Sequence, residues 1–282
     1  MMSRLSAMQA SNRLRTALLE GKKAFGAWQM LPGANVSRVL ARSGVDWVLV
    51  DCEHGNLDGL TCQDGAMHDA VPAIAALGVS PIVRLPDMQG WMVKRALDSG
   101  AHGTKIVVPL LRTPEEARQL VQSAKFPPLG RRGFGSPIAP ERFHPEPSFS
   151  EYLQQANDSL LTIVQIETKE ALESIDEIAA VDGIDVLFIG PFDLGNALGH
   201  PIIEGVMATE LKDAIAKILA AGQRAGKKTG VYCTGGEQAK IYADQGFDMM
   251  NVVTDYTSLG LVAKEQLSFA DGSLAPTRGK GY

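Results

Sequence analysis

Several short apolar runs in this chain end abruptly in groups that can hold a proton, a cation or an anion. WVLV (47–50) runs into Asp51, Cys52, Glu53 and His54; PIV (81–83) runs into Arg84; LTIV (161–164) runs into Gln165, Ile166 and Glu167; VLFIG (186–190) runs into Pro191, Phe192 and Asp193. If Glu167 and Asp193 end neighbouring strands, their carboxylates repel unless a proton or cation lies between them. A hard divalent ion that keeps several waters, Mg2+ or Mn2+ and its relatives, suits such a pair. The alternative is two solvated loop acids, or an acid capping a helix. No HxH motif or Cys/His cluster supports a zinc site. Asp51, three residues before His54, can hold the imidazole and raise its basicity, which makes His54 a candidate general base; the alternative is a structural, hydrogen-bonded histidine. Arg84 needs an anion or a carbonyl oxygen. Beside a metal it would stabilise a developing enolate, and otherwise it would form a structural ion pair. Cys52 is expected in packing, and Glu53 in support of nearby backbone.

These groups have to be brought together by the elements that carry them. Eight apolar runs alternate with amphipathic segments: FGAWQM (25–30), WVLVDC (47–52), PIVRL (81–85), KIVVPLL (105–111), LTIVQIE (161–167), VLFIG (186–190), TGVYC (229–233) and MMNVVT (249–254). Continuous apolar strands covered on both faces, each followed by a helix, point to an α/β fold of the (β/α)8 barrel type, whose active site lies at the C-terminal strand ends. An open doubly wound sheet is disfavoured by the count of eight and by the lack of GxGxxG after the first run. Asp98 closes the third helical pattern, RALDSG, at the end of the barrel opposite its own chain's site, where an acid before a glycine cap is the plain reading. A Schiff-base mechanism needs a lysine at the site end of a strand. Lys105 is expected at the start of the fourth strand and Lys228 before the seventh, so a metal is the better electrophile.

The 282 residues, 45% hydrophobic and 21% charged, suffice for one large barrel domain. A net charge of −5 without basic runs argues against nucleic acid. No window approaches a membrane span of roughly 20 apolar residues. Three cysteines without a CxxC fit a reduced compartment, and a cytoplasmic protein is expected, with a mitochondrial transit peptide as the alternative. The expected organisation is a helical extension (1–23), a barrel (24–268) and a flexible tail (269–282), with residues 126–152 as one extended connection.

The ordered series DxEHG, RLP, LDxGAxG, PPxGxRGxG, QIET and GPxDL resembles the HpcH/HpaI aldolases, metal-dependent class II pyruvate aldolases, from about Ala24 to Gln266. The resemblance implies cleavage of 4-hydroxy-2-oxo acids to pyruvate and an aldehyde, with Mg2+, Mn2+ or Co2+ on Glu167 and Asp193. It implies His54 with Asp51 as the acid–base pair, Arg84 as the enolate-binding group, Gln165 near substrate and metal, and the amides around Phe192 and Asp193 as the pyruvate carboxylate site. It also implies a homo-oligomer, a hexamer built as a trimer of dimers, with an exchanged C-terminal helix and Asp98 reaching a neighbour's site. The chain departs from the family pattern in three places. GPFDLG replaces GPADLS, putting a ring at Phe192 and removing a hydroxyl at Gly195, and the segment before strand four is two residues longer. The competing readings are an acyl-CoA lyase, for which Arg131, Arg132 and Arg142 would supply a phosphate groove, an oxaloacetate decarboxylase, and an inactive barrel serving as a binding subunit.

Overall fold

A computed structural model describes residues 5–57, 65–106 and 111–273. Eight parallel strands close into a barrel in sequence order: β1 (Ala24–Gln29), β2 (Trp47–Asp51), β3 (Ser80–Arg84), β4 (Gly103–Ile106), β5 (Leu161–Ile166), β6 (Val186–Ile189), β7 (Lys228–Val231) and β8 (Met249–Thr254). β1 pairs with both β2 and β8, which closes the ring.

The apolar runs form these strands because both of their faces are covered. Every residue of β2, β3, β5 and β6 is buried. Trp47, Leu49, Ile82, Ile163, Phe188 and Met249 belong to one core cluster, while Val48, Val50, Val83, Val164 and Leu187 belong to a second that includes the surrounding helices. Side chains of successive strand residues thus divide between the barrel interior and the helical layer. Gly26 is required here, since a Cβ on it would lie 2.0 Å from the Trp47 indole.

The N-terminal segment folds as two short helices, Ala7–Ser11 and Arg13–Leu19. Leu14 and Leu18 enter the same cluster as the inward-facing strand residues. Between them and the strands, Asn12 Nδ2 donates to the carbonyls of His102 (2.8 Å) and Ser159 (2.9 Å), and Asn12 Oδ1 accepts from Ser80 Oγ. The amide of His102, at the start of β4, bonds Pro81, near the start of β3, so this segment plugs the N-terminal end of the barrel, opposite the C-terminal strand ends.

Some elements differ from expectation. β4 begins at Gly103, two residues early, and its register sets the Lys105 backbone level with Arg84 rather than at the strand's start. The rest of the expected fourth run, 107–110, lies outside the described residues. The pattern KEALESIDEIAAV is two helices, Lys169–Glu173 and Ile175–Ala179, divided at Ser174. Residues 126–152 are not uniformly extended. They contain a 3-10 turn, Ala139–Arg142, and the start of a helix, Phe149–Ser159, nucleated by a capping box in which Ser148 and Glu151 satisfy each other's backbone amides. The last helix is Asp255–Ala270, so the expected tail from 269 begins within it, and its residues 274–282 lie outside the described residues. No helix among the described residues is long and apolar enough to cross a membrane.

Candidate active site

Parallel register places Asp51, the last residue of β2, opposite Arg84, the last of β3. The two meet in a bidentate ion pair, Arg84 Nε donating to Asp51 Oδ1 at 2.8 Å and Arg84 Nη2 to Asp51 Oδ2 in a short contact. Trp28 Nε1 donates to Oδ2 (2.9 Å), and the turn after β2 brings the amides of Glu53 and His54 onto Oδ1 (3.0 and 3.1 Å). Asp51 is fully buried. Burial alone would raise its pKa, but the Arg84 guanidinium, with the Trp28 and His54 donors, holds it below the usual carboxylate range. Burial likewise works against the charge on Arg84, and Asp51, Glu53 and Glu167 outweigh it.

This corrects the expected Asp51–His54 pair. Asp51 accepts from the His54 backbone amide, not from its imidazole. The tight turn uses the carboxylate as its cap, and the His54 side chain is left 60% exposed. The ring's neighbour is Glu53, whose Oε1 lies 3.6 Å from Nε2, and Glu53 also pairs with Arg84 Nη1 at 3.0 Å. Glu53 therefore links the arginine to the histidine, a role its position between a cysteine and a histidine in the sequence does not reveal. Cys52 is buried in the core, as expected.

Across the rim, β5 and β6 pair so that Ile166 lies level with Ile189, which brings Glu167 beside Gly190. Glu167 and Gln165 are both 3% exposed, and Gln165 Nε2 donates to Glu167 Oε2 in a short contact. Asp193 is exposed in the first turn of the helix Pro191–Ala197. Gln165 and Asp193 border a cavity of about 210 Å³, whose polar lining also includes His54 and Arg84. Its remaining wall is Trp28, Met30, Gly190, Pro191, Phe192 and Tyr232. A larger groove of about 560 Å³ lies between the helices Pro114–Ala124 and Ile175–Ala179, but none of the strand-end groups reaches it. The smaller cavity is the candidate site because the buried ion pairs converge there.

The family model for HpcH/HpaI aldolase/citrate lyase matches residues 25–260. The chain belongs to the HpcH/HpaI aldolase/citrate lyase family. It is 34% identical to a hydroxypyruvate/pyruvate aldolase of Rhizorhabdus wittichii, over 92% of this chain and 98% of that one. It is 36% identical to a 2-dehydro-3,6-dideoxy-6-sulfogluconate aldolase of Pseudomonas putida, over 89% and 94% respectively. The crystal structure of an HpcH/HpaI aldolase/citrate lyase family protein from Burkholderia cenocepacia superposes with a TM-score of 0.81 at 31% identity, covering 92% of this chain and 99% of that one. Relatives of this similarity along nearly the whole chain make the protein a carbon–carbon lyase of the aldolase kind.

For this HpcH/HpaI member, the donor set fits a hard divalent cation. Among the described residues no three His, Cys, Asp or Glu side chains gather as a metal cluster. Gln165 Oε1 is buried without a hydrogen-bond partner among the described residues, an acceptor left over beside Glu167. A Cβ on Gly190 would lie 2.7 Å from Glu167 Oε2, so the glycine keeps this carboxylate corner open. Glu167 and Asp193, with the Gln165 amide nearby, are the residues that would hold such an ion.

Asp98 does not line its own chain's cavity. It ends the helix Gly90–Asp98, 8% exposed, bonded by Arg132 Nη2 and Lys94 Nζ, each at 3.1 Å. Arg132 is itself buried and lies over the Phe126 ring, so it is not free for a phosphate, and Arg142 pairs with Glu141. Gly195 is a packing position rather than a missing hydroxyl, because a Cβ there would meet the His200 carbonyl at 2.8 Å. Trp28, Met30 and Tyr232 were not singled out from the sequence. An aromatic residue in an apolar run has the same pattern whether it fills the core or lines a site.

Proposed function

We propose that this aldolase cleaves 4-hydroxy-2-oxo acids to pyruvate or a pyruvate-like 2-oxo acid and an aldehyde, with Mg2+, Mn2+ or Co2+ held by Glu167 and Asp193. The observation that carries this reading is the convergence, at one small cavity, of a buried Glu167–Gln165 pair and a buried Arg84 tied to two carboxylates. When bound, the ion would supply Lewis acidity to the 2-oxo and carboxylate oxygens. The first-turn amides at Phe192 and Asp193, which have no acceptor within their own helix, suit the pyruvate carboxylate. His54 takes the proton from the C4 hydroxyl, Glu53 standing beside its ring. The C3–C4 bond breaks, the aldehyde leaves, the electron pair becomes the enolate of the 2-oxo acid, and a proton added at C3 completes the 2-oxo acid product, balancing the one taken from the C4 hydroxyl. Arg84 keeps a second N–H on each terminal nitrogen for that negative charge, while Asp51 and Glu53 fix its plane.

The partner subunits implied by the family also find support here. The helix Asp255–Ala270 buries only Asp255, and Leu259, Leu261, Val262 and Leu267 are all more than half exposed. A helix this apolar needs a second surface, which supports a homo-oligomer with this helix laid on a neighbour; Asp98 serving a neighbour's cavity is part of the same proposal.

The deciding experiment is pyruvate release from a panel of 4-hydroxy-2-oxo acids, before and after chelation with EDTA and after readdition of Mg2+, Mn2+ or Co2+. Activity lost with EDTA and restored by one of the three ions is expected; full activity after exhaustive chelation refutes the metal mechanism.

A further inference from the structure

We infer that the wall formed by Phe192, Tyr232 and Trp28 selects the aldehyde half of the substrate, favouring an apolar or aromatic aldehyde over a polyhydroxylated one of similar size. This rests on the function proposed above, because it assigns Arg84, Gln165, Asp193 and the backbone amides to the 2-oxo acid and leaves the aromatic lining for the aldehyde.

The three rings form a continuous surface. Trp28 and Tyr232 meet edge to face at 5.3 Å between centroids, and Tyr232 meets Phe192 at 6.1 Å with the planes at 67°. The deep end of the wall is anchored to the catalytic groups, since the Arg84 guanidinium lies 4.9 Å over the Trp28 ring. The outer end is open, with Phe192 43% exposed although it lines the cavity. Partial exposure of a large apolar side chain beside a reacting centre is apolar area a ligand can still cover.

Each polar side-chain atom of this wall already has a partner within the protein. Trp28 Nε1 donates to Asp51. The Tyr232 hydroxyl shares a hydrogen bond with Thr254 Oγ1 at 3.1 Å, on β8. Phe192 has no polar side-chain atom, so β1, the helix Pro191–Ala197 and the residue after β7 present ring carbon to whatever lies against them. A hydroxyl pressed against these ring carbons would give up water without gaining a partner there, which disfavours it. A ring or branched alkyl group would instead gain dispersion and the burial of Phe192. Discrimination of this kind, between groups of similar size on an apolar surface, typically reaches about 10–200-fold.

The test is aldol addition of pyruvate or hydroxypyruvate to isobutyraldehyde, benzaldehyde, glyceraldehyde and glycolaldehyde, comparing kcat/KM for wild type, Phe192→Ala and Phe192→Leu. Wild type should favour isobutyraldehyde or benzaldehyde over glyceraldehyde by at least about 10-fold, as apolar-wall discrimination allows. Phe192→Ala should shrink that ratio by about the same factor, with Phe192→Leu in between. The inference is overturned if wild type favours glyceraldehyde, or if the ratio is the same in Phe192→Ala. Absence of addition to all four aldehydes, glycolaldehyde included, refutes the aldolase reading instead. A readout without turnover is saturation-transfer NMR of benzyl alcohol, a nonreactive probe of the wall. Contact in wild type that is lost in Phe192→Ala supports the wall, and equal signal in both refutes it.

Discussion

A methyl group added at Gly190 would lie 2.7 Å from Glu167 Oε2 and 2.8 Å from Gln165 Nε2, closer than real Cβ contacts allow. Gly190→Ala must therefore push both side chains away from the corner proposed to hold the cation. The expected result is weaker Mn2+ binding, by about 10-fold or more, read by calorimetric titration, with a parallel loss of pyruvate release; an unchanged metal affinity would remove this corner from the site. Arg84 tests the other side. Arg84→Lys keeps one charge but cannot span both Asp51 oxygens and Glu53 Oε2 together. Turnover should fall at least about 100-fold, in line with loss of an oriented charge donor. Asp51, buried and less completely paired, should cost stability of order 3 kcal/mol in urea unfolding. Near-normal turnover in a stably folded Arg84→Lys enzyme would refute the enolate role.

Among the elements, the strands are the best-read part of the molecule and the plug the least. β8 spans Met249–Thr254 as expected, and β2 and β5 differ from expectation by one residue, because a strand buried on both faces leaves an uninterrupted apolar run. The placement of the polar groups at their ends was legible for the same reason, since a polar group directly after such a run lies at the C-terminal rim. Pairing within the site was not legible. Spacing puts His54 within reach of Asp51, but only the path of the turn shows that the carboxylate caps its own backbone while Glu53 faces the ring. The N-terminal segment was read as an extension because its polar composition hides two buried leucines and Asn12, a fully buried hydrogen-bonding hub. Asn12→Ala removes donors to the His102 and Ser159 carbonyls and an acceptor for Ser80 Oγ, leaving buried groups unpaired. A loss of about 2–4 kcal/mol in urea unfolding is expected, with kcat little changed because the plug is at the far end of the barrel. A variant as stable as wild type would mean that the plug does not contribute to barrel stability.

For the whole molecule, pH and assembly each make a separate demand. His102 is buried between the plug and β3, stacked on Phe143, with Nε2 on the Arg142 carbonyl and Nδ1 near Ser80 Oγ. Burial pushes its pKa down to about 4. The unfolded chain takes up this proton near pH 6.5 and the folded one only near pH 4, so between those values the unfolded state binds more protons. Stability is therefore complete above about pH 6.5 and declines as the pH falls toward 4, by about 3 kcal/mol from this one residue. Urea midpoints measured across that window should fall in wild type and flatten in His102→Gln; a parallel fall in both would assign the acid sensitivity elsewhere. Assembly depends on the opposite surface chemistry. Leu259 and Val262 lie three residues apart on the last helix, 64% and 55% exposed, on an element whose only buried residue is its first. Covering two such side chains is worth roughly 1.5–3 kcal/mol each, and two carboxylates in their place would have to be desolvated at the contact. Wild type should run above the monomer mass in light scattering, the hexamer being expected, and Leu259→Asp combined with Val262→Asp should lower that mass. Since the strands and plug do not use this helix face, the variant should keep its circular dichroism. If Asp98 serves a neighbour's cavity, pyruvate release should fall in step with the mass. An unchanged mass would mean that this helix face is not the contact, and a lower mass with full activity would mean that each barrel is catalytically complete by itself.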